Sequence, residues 1–442
     1  MDIFSTLVII MQIVLLFVGI YFFYRKPFDI GTIMVFLFII FYAVPAWDFY
    51  FDGDYFLKDI LQYNVSYEDK SEGLYLIFIT TLIMVFFYLG YLSIAIVLQK
   101  RSSGKIVYRI NRQSFNSLFA IYGLIWMIIF LYSLNKYGQS ILLFFSPSRK
   151  DGVFESSYIS TFYLLIPLTL FTFKVLKDYV EFGKLKLSTC VYILPIISIY
   201  MTSGQRREII NLFIFLVILL THLGLEKVKK KKIINETKYK RKRLLYLGLT
   251  TVILVPILWW ARVIFTQLQR NDAYILMPWE RRGFVELLFG SSSGGFKTLL
   301  LGLEHKQVYG LEWGYSIYFL FTSFIPRELM EDKPIIMNKL WQRDFNLMGN
   351  PSTFYINEMF INFGVISIIF SAIFGMILSY LYNKLYFSKS IVQNVMSFFI
   401  FSNVILLFKN GFTQFSINMF ISLIFIGVSC KIILKKQKEQ VE

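Results

Sequence analysis

The main pattern along the chain is a series of long apolar stretches separated by shorter polar segments. Stretches of roughly 17 to 25 residues are long enough for a helix to cross ~30 Å of hydrocarbon. The pattern predicts an all-α integral membrane protein with about 11 transmembrane helices. The candidate segments lie near 3–23, 30–48, 74–98, 115–134, 158–176, 188–203, 208–224, 244–264, 355–382, 390–408 and 414–433. We expect the first to be retained as a helix, because no charged segment precedes it and no small-residue cleavage site follows.

Composition agrees with this class. The 442 residues are 56% hydrophobic, with a mean hydropathy of +0.59, which is too apolar for a soluble protein. The two cysteines, Cys190 and Cys430, lie far apart inside apolar segments. Their spacing predicts neither a disulfide framework nor a zinc site.

Lysine and arginine are concentrated in alternate connecting segments, such as 99–114 and 226–243. Because cytoplasmic loops carry the basic excess, this predicts an N-terminus outside and a C-terminus in the cytoplasm. The net charge of +17 and the run KVKKKKIINETKYKRKR (227–243) also suit nucleic-acid binding. A loop that sets orientation against anionic lipid explains the same run, and we expect no nucleic-acid partner.

This topology divides the chain into three parts. Residues 1–264 hold transmembrane helices 1–8 with short loops, 265–354 form a large extracytoplasmic loop, and 355–442 hold helices 9–11 and a basic cytoplasmic tail. A loop this long is usually functional. Within it, WGYSIYFLFTSFI (313–325) is apolar but too short to span, so it is either re-entrant or an interfacial helix.

Two adjacent arginines, Arg206 and Arg207, interrupt an apolar run in a tight turn predicted to lie outside. Arginines at a membrane interface are often ordinary snorkelling side chains. The alternative is a phosphate site, since guanidinium groups bind phosphate in a bidentate manner and the following helix would present its N-terminus to an anion.

The outer loop and its flanks supply further candidates. Arg262 and Arg327 are cations on the same predicted side, and Glu358 and Asn362 share one helix face by their i, i+4 spacing. Glu358 is either a carboxylate that complements the helix dipole or a catalytic group. His305 is either a general base or anion ligand, or an ordinary loop histidine.

Metal and nucleotide chemistry have little support in the sequence. GSSSGGFKT (290–298) resembles a phosphate-binding loop, but Phe296 interrupts the motif before Lys297 and the predicted location is outside, so we interpret it as a flexible loop. No metal-ligand spacing is evident, so we expect no cofactor and metal-free chemistry.

Three segments together resemble the oligosaccharide repeat-unit polymerases (Wzy-type O-antigen or capsule polymerases). They are TSGQRRE (202–208), IPRELMEDKP (325–334) and GNPSTFYINEMFINFG (349–364). In that family a serine-glycine-arginine turn, a proline-arginine-to-lysine-proline loop and an E-x-Y-x-N-F-G helix start recur in this order. Phe360 stands at the usual tyrosine, which leaves Glu358 and Asn362 in place.

The resemblance implies a fold similar to GT-C-type glycosyltransferases in the bacterial plasma membrane. It also implies an active site on the extracytoplasmic side. The activity would be the joining of undecaprenyl-diphosphate-linked oligosaccharide repeat units by inverting glycosyl transfer. Implied partners are this lipid-linked oligosaccharide, the lipid bilayer, a chain-length regulator and a flippase.

The resemblance and the chemistry of the reaction suggest roles for individual residues. Glu358 is the expected base and Arg207 the expected catalytic cation, because positioned cations stabilise a leaving diphosphate. Expected diphosphate ligands are Arg206, Arg207, Arg262, Arg327 and Lys333. Expected contacts to sugar or acceptor are Asn362, Tyr355, His305 and Trp260.

Two other functions remain open. A ligase-like glycan transferase would use the same diphosphate chemistry with a different acceptor. A flippase or exporter of lipid-linked sugars would move its substrate without changing covalent structure. The absence of an evident internal repeat argues against a secondary transporter.

Overall fold

The computed structural model describes most of the apolar helices and parts of the long loop. The described residues are 3–26, 29–51, 70–98, 108–136, 157–182, 186–192, 196, 212, 214–219, 221, 242, 245, 294–322, 325, 329–332, 334–335, 337–344, 353–388 and 390–436.

Helices dominate this part of the chain. The α-helices are α1 (Ile3–Arg25), α2 (Ile30–Phe38), α3 (Val44–Tyr50), α4 (Lys70–Val97), α5 (Arg112–Lys136), α6 (Ser157–Phe182), α7 (Leu187–Val191), α8 (Gly294–Tyr309), α9 (Tyr315–Thr322), α10 (Met337–Asp344), α11 (Tyr355–Phe363), α12 (Ser367–Tyr386), α13 (Ile391–Ser402) and α14 (Val404–Ile433). A π-helical segment, Ile39–Ala43, joins α2 to α3, and a 3-10 segment, Gly364–Ile366, joins α11 to α12. Two short strands, β1 (Tyr108–Ile110) and β2 (Leu434–Lys436), complete the elements.

Several of these helices are long and apolar enough to cross a membrane. Five pass this test within the described residues: Ile3–Arg25, Ile30–Asp48, Glu72–Val97, Arg112–Tyr132 and Tyr355–Tyr386. The number rises to six if the helices on the two sides of Asn403 count as one span. The predicted helical, multi-pass class is therefore confirmed at this level. The number eleven, the orientation and the GT-C-like arrangement stay predictions, because most of a segment such as 244–264 lies outside the described residues.

The chain forms two compact units that are interleaved along the sequence. The first comprises Met1–Arg101, Arg282–Phe387 and Asn403–Met419, and the second comprises Ser102–Arg281, Ser388–Ser402 and Phe420–Glu442. The three parts defined from the sequence, 1–264, 265–354 and 355–442, are based on predicted membrane topology and not on compactness. They stay a prediction.

In the first unit, α4 packs along α12 at very short range. A Cβ added at Gly90 would overlap the carbonyl oxygen of Ala372, and one at Gly375 would overlap that of Phe87. Small residues allow such backbone approach between apolar helices, where packing replaces the hydrophobic effect as the source of association.

In the second unit, α5 contacts α6 and the end of α14. Trp126 Nε1 donates to the Tyr163 carbonyl at 3.1 Å, and the Tyr122 ring stacks on Phe425 with centroids 4.8 Å apart. The strands β1 and β2 form an antiparallel ribbon in which Arg109 is opposite Lys435.

The long segment before Tyr355 contains helices, and one sequence interpretation needs correction there. The sequence predicts a flexible loop over 290–298. Residues 290–293 lie outside the described part of the chain, and 294–298 form the first turn of α8. Gly295 explains the helix position, because a Cβ at this residue would lie only 2.6 Å from the Phe41 carbonyl oxygen. Gly295 therefore allows close packing instead of flexibility. Residues 313–325 include the eight-residue helix α9, as expected for a segment too short to span.

Candidate functional site

The predicted site residues fall into two groups. Glu358, Asn362, Tyr355 and His305 lie within the described part of the chain. The others lie outside it: Arg206, Arg207, Arg262, Arg327, Lys333 and Trp260. The structure therefore places the acid and amide side chains, while the predicted diphosphate-binding cations stay predictions.

Helix α11 carries the polar residues of the third motif, and it is entirely enclosed. All nine residues from Tyr355 to Phe363 are buried. The helix is bounded by unusual backbone, with φ 51° at Phe354 and φ 56° at Gly364. Positive φ at a bulky residue such as Phe354 is strained, and such strain concentrates at functional sites.

The Glu358 carboxylate lies inside the protein, at 1% exposure. Thr353 Oγ1 lies 3.1 Å from Oε1, and the Phe412 backbone N–H donates to Oε2 at 2.7 Å. Thr353 Oγ1 is also 3.0 Å from the Asn410 carbonyl oxygen. Because a threonine hydroxyl has one proton, it can serve only one of these two acceptors at a time.

The Phe412 N–H is available because α14 is interrupted at Gly411. This residue has φ 81° and ψ 173°, which is not helical. A Cβ at Gly411 would overlap the Glu358 carboxylate, so both the conformation and the space require glycine. Glu358 therefore caps the helix segment that restarts at Phe412, as side-chain oxygens do at helix N-termini.

Asn357, the neighbour of Glu358, joins three elements. Tyr42 donates from its hydroxyl to Asn357 Oδ1 at 2.7 Å. Asn357 Nδ2 donates to Thr298 Oγ1 at 2.7 Å and to the Gly295 carbonyl at 3.2 Å. Tyr42 belongs to the π-helical segment, and such bulges frequently mark functional sites.

Asn362 is bonded through its whole amide group. Nδ2 donates to the Glu358 carbonyl at 2.6 Å and to Ser316 Oγ at 2.9 Å, and Oδ1 accepts from the Ser316 N–H at 2.9 Å. Asn362 therefore anchors α9 on α11. The predicted contact of Asn362 with sugar is not tested by this arrangement, and at 1% exposure the side chain would need its surroundings to move before sugar could reach it.

Tyr355 is fully buried, and its hydroxyl lies 2.7 Å from Ser371 Oγ on α12. Its ring packs edge-on against Phe87 of α4. This places Tyr355 between three helices in the first unit. Its predicted role as a sugar contact stays a prediction.

His305 is paired with an acid that sequence reasoning did not select. His305 Nε2 lies 2.7 Å from Glu312 Oε1, with the histidine side chain at 1% exposure and the glutamate at 22%. A carboxylate that orients an imidazole is the arrangement of a general base. It is equally an arrangement that stabilises the turn after α8. One residue before His305, burial raises the pKa of the Glu304 carboxyl.

Several residues of this site escaped the sequence-based reasoning. They are Tyr42, Thr298, Glu312, Ser316, Thr353, Asn357 and Gly411. Four of them lie in segments that the sequence singles out: Thr298 in 290–298, Ser316 in 313–325, and Thr353 and Asn357 in 349–364. Tyr42, Glu312 and Gly411 meet their partners through the fold, and no local pattern marks them.

Within the described residues, no group of three or more His, Cys, Asp or Glu side chains could hold a metal ion. No family model, curated protein or solved structure matches the chain.

Proposed function

We propose that this chain is a polymerase for surface polysaccharide. It joins undecaprenyl-diphosphate-linked oligosaccharide repeat units at the outer face of the bacterial plasma membrane. The proposal is supported by the three motifs, by the predicted cations on the outer side and by the apolar helices long enough to cross a membrane.

The observation that carries the proposal is the Glu358 carboxylate beside the break in α14. Ionisable groups inside membrane proteins are costly, and they are functional candidates by default. Non-helical backbone in an apolar helix is tolerated where protein surrounds it or where it lines a polar cavity. Glu358 is a buried ionisable group, and it lies beside such a helix break at Gly411. It also belongs to the third of the motifs that carry the family resemblance.

The proposed reaction is glycosyl transfer with inversion. An acceptor hydroxyl oxygen attacks the anomeric carbon, while the bond from that carbon to the diphosphate oxygen breaks and its electron pair leaves with the lipid diphosphate. The hydroxyl proton passes to a base. Glu358 is the proposed base, since a positioned carboxylate can take up the proton of the attacking hydroxyl.

The proposed leaving-group site consists of Arg206, Arg207, Arg262, Arg327 and Lys333. Positioned cations stabilise the charge that develops on the diphosphate. Trp260 and His305 are proposed to contact sugar. For Asn362 and Tyr355 the same proposal includes a rearrangement, because their polar groups bond within the protein.

The test uses purified protein in detergent with its authentic lipid-diphosphate-linked repeat unit. Products are resolved by chain length, with and without a chelator. Wild type is expected to make a chelator-resistant ladder that Arg207→Ala and Glu358→Ala lose. Matched controls are Glu304→Ala, an acid on α8, and Arg343→Ala, an exposed arginine on α10. Both controls are expected to keep the ladder.

Two other results would replace the proposal. Release of lipid diphosphate only after a second type of acceptor is added would indicate a ligase-like transferase. Movement of the lipid-linked sugar between leaflets, without any release of lipid diphosphate, would indicate a flippase or exporter.

A further inference from the structure

The short helix α9 is attached to α11 by polar contacts on one of its faces. Ser316 exchanges two hydrogen bonds with the Asn362 amide, each 2.9 Å long. The turn before α9 is attached as well, because the Glu312 N–H donates to the Ile361 carbonyl at 3.1 Å. These contacts determine which side of α9 faces the protein.

The opposite side of α9 is apolar and uncovered. Tyr318 is 52% exposed and Phe321 is 72% exposed, and their i, i+3 spacing puts them on one face. Trp313, in the attached turn, is 69% exposed. On the inner face Ser316 and Phe319 are buried. Contiguous apolar surface of this kind marks a contact with a partner or with lipid.

Helix α9 is too short to contact lipid as a transmembrane helix. Its eight residues extend about 12 Å, at ~1.5 Å per residue. A bilayer's hydrocarbon core is ~30 Å thick. Helix α9 can therefore contact one leaflet only.

The depth of α9 in the membrane follows from its contacts with the neighbouring span, which contains α11 and α12. The attached turn reaches Gly364, where a Cβ would lie 3.4 Å from Leu311 Cδ1. After this residue, α12 has 20 residues, enough to cross the hydrocarbon by itself. With α12 as the crossing part of the Tyr355–Tyr386 span, α9 lies level with the end of that part.

The exposure pattern of that span agrees with this depth. Every residue of α11 is buried, whereas the exposed apolar residues begin directly after Gly364, with Val365 at 51%, Ile369 at 61% and Ile373 at 43%. Lipid-facing surface on this span therefore begins at Val365. Above it, α9 covers the polar helix α11 and presents its own apolar face outward.

We propose that Trp313, Tyr318 and Phe321 contact phospholipid at the headgroup level, so that α9 is an interfacial anchor for the long segment before Tyr355. The residue types fit, because tryptophan and tyrosine are enriched at this level of a bilayer. Under the predicted orientation the leaflet is the outer one. The anchor also keeps lipid away from Asn362. This inference does not depend on the enzymatic proposal.

The test measures what surrounds the outward face of α9. Full-length protein with Cys190→Ser and Cys430→Ala receives a nitroxide label at Phe321→Cys and is reconstituted in phospholipid nanodiscs. Collision with oxygen reports lipid, and collision with a nickel chelate reports water. Reference labels are placed at Ile369→Cys, an exposed apolar residue of α12, and at Lys339→Cys, an exposed cation on α10.

The expected result is a Phe321 label with higher oxygen collision and a clear loss of nickel collision relative to the Lys339 label. A Phe321 label that matches the Lys339 label would overturn the proposal, because the face would then be in water. Protection from both reagents would also overturn it, because protein would then cover the face. Tyr318→Cys is a second labelling site, and size-exclusion chromatography verifies that each variant is folded.

Discussion

The Glu358 carboxylate combines a structural role that the contacts define with a catalytic role that we propose. Glu358→Gln keeps an oxygen for the Phe412 N–H but cannot take up a proton as a base does. We expect near-normal thermal unfolding, with polymer synthesis lowered by about 10²- to 10⁴-fold, the usual contribution of a general base. Chain-length gels and unfolding in detergent measure the two effects. Wild-type activity in the glutamine variant would limit Glu358 to its capping role.

Removal of the whole side chain is predicted to affect folding as well. Glu358→Ala removes the carboxylate that accepts from the part-buried Phe412 N–H, and a hydrogen bond to a charged group contributes about 1.5 to 3 kcal/mol. The thermal midpoint should therefore fall below that of the glutamine variant. Equal midpoints for Glu358→Ala and Glu358→Gln would show that the cap contributes little to stability.

At Gly411, conformation and space can be tested separately with other glycines of the chain. Gly411→Ala introduces a side chain at φ 81° that also overlaps Glu358, whereas Gly310 has φ 83° with nothing within 4 Å of an added Cβ. Gly123, inside α5, also has open space around it. We expect unfolding free energies to fall most for Gly411→Ala, by about 1 kcal/mol for Gly310→Ala, and not at all for Gly123→Ala. An equal loss of unfolding free energy in Gly411→Ala and Gly310→Ala would mean that the overlap with Glu358 does not affect stability.

At the residue scale, the sequence indicated Glu358 and Asn362 through a local motif and helical spacing. It could not indicate their partners. Asn362 meets Ser316 across 46 positions of sequence, and Glu358 meets Phe412 across 54. Only tertiary packing brings such residues together, and a single sequence contains no local signal of that packing.

At the scale of elements, the π-helical segment is coupled to α11 through one hydrogen bond. Tyr42→Phe should weaken folding by about 0.5 to 1.5 kcal/mol, the usual contribution of a hydrogen bond. A double-mutant cycle with Asn357→Ala measures the coupling by unfolding in detergent. Additive effects of the two substitutions would indicate that the bond contributes no coupling energy.

The contact between α4 and α12 depends on backbone approach at glycine. Gly375→Ala would place a methyl group against the Phe87 carbonyl, which cannot move without its helix. We expect loss of monodisperse folded protein in size-exclusion chromatography. Gly427→Ala is the matched control, because its nearest neighbour is the flexible Met396 side chain at 3.1 Å. Equal behaviour of the two variants would contradict close helix packing at Gly375.

Apolar length predicted the described spans well, since a long hydrophobic run has few alternatives to a membrane helix. The interpretation of 290–298 as a flexible loop, based on the interrupted phosphate-loop motif, was wrong for 294–298. These residues form the first turn of a helix, and Gly295 lies against the Phe41 carbonyl. Glycine permits both flexibility and close packing, and composition alone does not separate these uses.

At the scale of the whole molecule, the ribbon of β1 and β2 constrains topology. Strands that pair must lie on the same side of a membrane, so the chain must cross an even number of times between Ile110 and Leu434. The sequence places eight candidate segments in that interval, which is an even number. The ribbon therefore agrees with the predicted arrangement but does not determine which side is outside.

The side of the membrane on which the start of α11 lies decides whether flipped substrate can reach Glu358. In a background with Cys190→Ser and Cys430→Ala, we expect an impermeant maleimide to label Glu331→Cys on intact cells. Lys231→Cys, in the basic loop, should react only after permeabilisation, because positive loops stay inside. The opposite pattern would place Thr353 and the start of α11 at the cytoplasmic end of their span. Substrate that has already been flipped to the outer leaflet could not then reach Glu358, and the polymerase proposal would fail whatever the local geometry.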